Sequence, residues 1–405
     1  MPPTGSAPAT TLPPPEPSPA PERQSAGAAT PPLLERVGVR YFLRRASSLR
    51  PSSPVDAIHF LNPTERAGLA RVQRGAIVRA AVAGALSTFV AAAVEVFAIP
   101  RLGVDPDLSL WLVPLSYWLV IGGANVVTSA LEVGFLYWDG LRTVHELSRV
   151  AGLDLVAGQG DQRLAAALAR AALELPDPAS PVFGIDPLRG VSRLRLVAAA
   201  LFYKLKVSLS TFLTKLLVRR MLGRAALRTL VPFVAVPVTA VWNAVVCWRV
   251  LRQARLRTFG PSASAELVGL ALGEVSSLSA RGRLAAFRAV GSAVVAKRDL
   301  HPNLVALLFE LRSRSGEPAR ATIDDAAALL EDLRQLSPGE RAAVLRLLSV
   351  ASVIDGRLTR SEQRLIVQAR AVAGLGPDLA ATRRLHRAFV GGEGFEPKLL
   401  RELAE

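Results

Sequence analysis

Apolar positions along this chain fall into three dense runs followed by one long stretch of helical periodicity. The motif Asn62-Pro63-Thr64-Glu65 opens the first run. Asn62 can cap a helix, Pro63 suits its first position and Glu65 can reach back to the cap. The predicted helix carries Arg66, Arg71, Arg74 and Arg79 into residues 80–99, where Glu95 is the one charge. A short loop with Asp105 and Asp107 leads to residues 109–131, which hold no charge at all. About 20 apolar residues cross a hydrocarbon core roughly 30 Å thick, so residues 76–138 predict a transmembrane hairpin. Trp111, Trp118, Tyr137 and Trp138 lie toward its ends, where aromatic belts form.

The third run, residues 229–248, is uncharged but contains Pro232, Pro237 and Asn243, with arginines on both sides. Its prolines leave two readings open, a single crossing or a re-entrant segment. From 262 to 405 apolar residues recur at three and four positions, as in a soluble helical module. Ser337-Pro338-Gly339-Glu340 and Thr359-Arg360-Ser361-Glu362 both have the capping-box pattern. A faint repeat also shows: residues 293–303 align with residues 351–361, each reading as helix, tight polar turn, one leucine and then a new helix.

Composition sharpens this picture. Half of the 405 residues are hydrophobic, only 20% are charged, and the mean hydropathy is +0.31. Residues 1–32 contain eleven prolines and almost no large apolar side chains, so a disordered tail is expected there. Residues 33–75 read as a basic amphipathic lead-in, and 139–260 as a basic, membrane-associated helical region. Within the latter, Lys204, Lys206, Lys215, Arg219 and Arg220 suit a helix lying on an anionic lipid surface. The expected fold class is therefore all-α: an integral membrane protein with a hairpin, a third apolar segment and a C-terminal helical bundle.

The net charge is +16. Its arginines flank apolar runs rather than forming a nucleic-acid recognition element, so the lipid bilayer is the expected partner and nucleic acid is not. The basic flank before residue 80 and the acidic loop after residue 101 put the N-terminus in the cytoplasm by the positive-inside rule. The Ala, Arg, Leu and Val bias suggests a high-GC bacterial genome, hence a bacterial inner membrane.

Residues 344–366 carry a family resemblance: an apolar helix ending in Asp355-Gly356, then Leu358-Thr359, then Glu362 opening the next helix. This stretch resembles the TerB-like (tellurite-resistance) helical domain, over about residues 336–392. The resemblance implies a small all-α bundle and, in some members, an acidic cluster proposed to bind metal. Asp355 and Glu362 are the matching carboxylates, although Arg357, Arg360 and Arg364 surround them. The alternative is that Asp355 makes a turn and Glu362 caps a helix. Residues 216–259 are similar, more loosely, to EcsC-type bacterial membrane-associated proteins.

No P-loop, nucleophile elbow or dinucleotide fingerprint occurs, and the four histidines are not spaced as a metalloprotease pair. The expectation is a protein without catalysis or cofactor. Intramembrane polar residues are the remaining candidates: Glu95, Asn125, Glu132 and Asn243. The expected role is to anchor the helical module at the inner membrane, where it meets a protein partner in envelope stress or membrane organisation. The alternative is a small channel or transporter that uses the intramembrane Glu and Asn residues, which would require a homo-oligomer.

Overall fold

The computed structural model describes residues 33–46, 61–102, 115–151, 159–173, 183–185, 231–273, 278–316, 322–393 and 397–405. The Pro-rich tail and the basic residues Lys204, Lys206, Lys215, Arg219 and Arg220 lie outside them. Every helix or turn described belongs to an all-helical architecture.

In chain order the helices are α1 (Leu33–Ala46), α2 (Pro63–Leu102), α3 (Gly123–Val150), α4 (Gln159–Ala172) and α5 (Val231–Leu272). There follow α6 (Ala280–Lys297), α7 (Pro302–Ser315), α8 (Ala326–Gln335), α9 (Pro338–Val353), α10 (Arg360–Val372), α11 (Ala380–Gly391) and α12 (Pro397–Glu402). A helical turn, Leu115–Tyr117, and a π-helical turn, Trp118–Gly122, lead into α3.

Two of these helices are long and apolar enough to cross a bilayer, Pro63–Ala98 and Leu119–Val150. Within the chain itself only 17% and 6% of their most apolar windows are buried. Val78, Val82, Leu86, Phe89, Val126, Val127 and Leu131 instead point outward. The start of α2 is as its sequence predicts: Asn62 Oδ1 accepts from the Glu65 amide at 2.8 Å, and Glu65 Oε2 accepts from the Asn62 amide at 2.9 Å.

The third apolar run is the first part of α5, a single helix of 42 residues that passes through Pro237 and Pro261. At about 1.5 Å per residue it is ~63 Å long. Its N-terminal part packs antiparallel to α2. Phe233 meets Phe89, Thr239 meets Thr88, and Asn243 lies beside Gly84. A Cβ on Gly84 would sit 2.5 Å from Asn243 Nδ2, so this glycine permits the close approach.

The C-terminal part of α5 enters the module, whose core therefore begins before residue 262. Leu251, Ala254, Leu256 and Phe259 are buried in the same core as α6, α7 and α9. Helix α9 is buried on nearly all sides from Ala343 to Val353. Pro261 has no N–H to give the Arg257 carbonyl. Near this interruption Asn303, at the start of α7, donates to the carbonyls of Leu256 (3.0 Å) and Ile354 (2.8 Å). It presses so close that a Cβ on Gly260 would fall 2.1 Å from its side chain.

The module sits at the end of the apolar helices where α2 begins. Arg66 pairs with Glu393, Leu61 packs over Gly392, and Arg255 donates to the Val390 carbonyl. Helices α1 and α4 share that side. Glu35 and Arg170 form a two-pronged buried ion pair (2.7 and 2.9 Å), and Arg257 of α5 donates to Ala167 of α4. Ile185 is buried in this core and the adjoining Phe183 ring rests on Phe309. Ile185 thus lies on the module side, and Phe233 lies among the apolar helices.

Candidate functional site

Three ionised side chains meet in the module where α6, α9 and α10 converge. The Asp-Gly turn after α9 needs a left-handed residue, and Gly356 supplies it at φ +76°. Asp355 Oδ1 braces the turn by accepting from the Arg357 amide at 2.9 Å. Thr359 caps α10, and Glu362 completes the capping box, its Oε2 accepting from the Thr359 amide at 2.8 Å. The local code thus builds the turn and the cap that its residues predict.

Lys297, the last residue of α6, then reaches between the two carboxylates. Its Nζ lies 2.5 Å from Asp355 Oδ1 and 2.9 Å from Glu362 Oε1, with the three side chains at most 3% exposed. It also donates to the carbonyls of Ser352 and Arg357. Burial pushes the Glu362 carboxyl up to about 6, against the pull of the Lys297 ammonium. Burial likewise raises Asp299, two residues beyond Lys297, with the Asp355 charge adding to it. Buried His301, which caps α7, is held well below its ordinary value chiefly by loss of solvent.

The structure therefore brings Asp355 and Glu362 together, around an ammonium group. A hard divalent cation prefers six or more oxygen ligands. Two carboxylates already sharing Lys297 do not fit one, and among the described residues no three His, Cys, Asp or Glu side chains are grouped to hold a metal. The weak sequence repeat has a geometric counterpart here. Arg298 and Gly356 stand at equivalent places and both are left-handed, at φ +60° and +76°. His301 and Thr359, also equivalent, are both N-caps.

The polar candidates on the apolar helices are distributed differently. Asn243 of α5 donates to Glu132 Oε1 of α3 at 2.6 Å, so these two join helices. Asn125 does not: its Nδ2 donates to the Ile121 carbonyl of its own helix, at the end of the π-helical turn. Glu95 is half-buried near the far end of α2. Sequence reading passed over a neighbouring pair, Arg79 and buried Asp139, whose ion pair at 2.8 Å ties α2 to α3. It also passed over Thr88 and Thr239, whose hydroxyls meet at 2.7 Å.

Lys297 was the other residue missed, since only the packing of α6 against the turn after α9 brings it to the two carboxylates. No protein-family model, curated protein or solved structure matches the chain.

Proposed function

We propose that this chain is a non-enzymatic integral protein of a bacterial inner membrane, with its N-terminus in the cytoplasm. In this reading α2, α3 and the apolar part of α5 are the anchor. The module of α6–α12, which includes the TerB-like stretch, is held at the cytoplasmic face to bind a protein partner in envelope stress or membrane organisation. The observation that carries it is α5, which is one helix from the outward-facing apolar bundle to the buried core of the module. Anchor and module are thereby a single body rather than two units on a tether. The arginine-rich start of α2 lies on the module's side, which supports the cytoplasmic assignment.

The direct test is protease access to tags on both termini in right-side-out and inverted vesicles, after carbonate washing. Both tags should remain with the membrane and be cut only in inverted vesicles. Recovery of the chain in the wash, or cutting of the two tags from opposite sides, would overturn this function.

A further inference from the structure

We propose that the ring of indole and guanidinium groups around the module-side end of the apolar bundle binds the phosphate groups of anionic phospholipids. This rests on the membrane reading above and adds the class of lipid. The outward apolar surface ends at one level on three separate helices. On α2 it begins at Val78, on α3 it ends at Trp138, and on α5 it ends at Trp248. The contacts fix that level, since Arg79 meets Asp139, and Gly84 and Glu132 both meet Asn243.

Both indoles at this level are about half exposed, and each carries a guanidinium from the next turn toward the module. Arg142 lies 5.7 Å from the Trp138 ring and Arg252 lies 5.8 Å from the Trp248 ring. Trp prefers the boundary between headgroups and acyl chains. A guanidinium one turn beyond it lies at phosphate depth, and its planar fork suits a phosphate. Arg142 is partly satisfied by Glu146 at 3.0 Å. Arg252 also donates to the Gly356 carbonyl at 3.4 Å, and Arg74 and Arg249, exposed at the same rim, form no ion pair among the described residues. On α1, Arg36 and Arg40 are exposed beside Leu33 and Val37, which extends the same chemistry outward.

The test uses the full chain with Trp111, Trp118 and Trp242 changed to Phe, reconstituted in phosphatidylcholine vesicles. Brominated phosphatidylglycerol or brominated phosphatidylcholine is then added as a minor component, and quenching of Trp138 and Trp248 is read. At about fivefold per engaged arginine, the anionic lipid should quench at a several-fold lower mole fraction. Arg142→Gln with Arg252→Gln should remove most of that preference while leaving quenching by phosphatidylcholine unchanged, and a preference that survives both changes overturns the inference. Equal quenching by the two lipids overturns the inference but leaves the membrane reading intact, whereas quenching by neither overturns both. Loss of the preference in excess inorganic phosphate would identify a site for free phosphate instead, and would also overturn it.

Discussion

Replacing Lys297 with Met removes the one cation between Asp355 and Glu362 and leaves two carboxylates buried side by side. Met nearly conserves the volume of the lysine stem, so the change acts on charge rather than on packing. Removing one partner of a buried ion pair costs about 3–5 kcal/mol, because the remaining charge is left without compensation. At roughly 2–4 °C per kcal/mol for a domain of this size, Tm should fall by about 6–20 °C. The measurement is helical circular dichroism of the full chain in detergent or nanodiscs on heating. The loss should be smaller at pH 5 than at pH 8, since Glu362, raised to about 6, is neutral at the lower pH and charged at the higher. Adding Asp355→Asn and Glu362→Gln to Lys297→Met should recover most of the lost stability. Those amides keep the oxygens that accept from the Arg357 and Thr359 amides. If Lys297→Met alone leaves Tm unchanged, or the triple variant is no better than the single one, the triad does not hold the module together as argued.

Glu362 by itself predicts a pH dependence. Its folded carboxyl titrates near 6 against an ordinary 4.5, so the folded state holds the proton more tightly. That contribution, about 2 kcal/mol, is full below pH 4.5 and is lost as pH rises through 6. Glu362→Gln should flatten the stability profile over that window when measured by denaturant titration. Gly356→Ala places a Cβ 2.3 Å from Leu256 Cδ1 in a left-handed residue, and should cost about 2–5 kcal/mol in the same titration. Gly84→Ala pushes a methyl into Asn243 and should lower Tm in nanodiscs, by an amount worth about 1–3 kcal/mol. Asn243→Leu should instead expose the loss of the bond to Glu132, and the two effects should fail to add because they share Asn243.

Local rules made much of this fold legible. Three helix starts, at Asn62, Ser337 and Thr359, carry their caps in four consecutive letters, and each forms as written. The two outward-facing apolar helices follow from run length alone. What sequence could not supply is long-range geometry. Glu340 reads as a local cap, yet its Oε1 also accepts from the Ser279 amide at 2.7 Å, so it serves α6 as well as α9. The resulting bonds hold its carboxyl below the ordinary range.

Pro237 left a re-entrant segment open, yet α5 runs through it and through Pro261 as well. At Pro261 the disturbed turn is clasped by Asn303, 42 residues away in sequence and supplied by another helix. The carboxylates of Asp355 and Glu362 were legible as a pair; their cation was not, because nothing local to residue 297 says which turn it will meet. Asn125 illustrates the converse, a polar residue whose letter suggests an interhelical bond and whose side chain turns back on its own backbone.

The unbroken course of α5 makes it a lever. Beyond the rim at Trp248 it extends for 24 residues, from Arg249 to Leu272, about 36 Å of rod. A change of bilayer thickness that tilts the apolar part by about 10° would swing the far end sideways by roughly 6 Å. The module is packed onto that rod and onto the first turns of α2, so under the proposed anchoring it would move as a rigid load, and lateral strain in the bilayer would become displacement of the module.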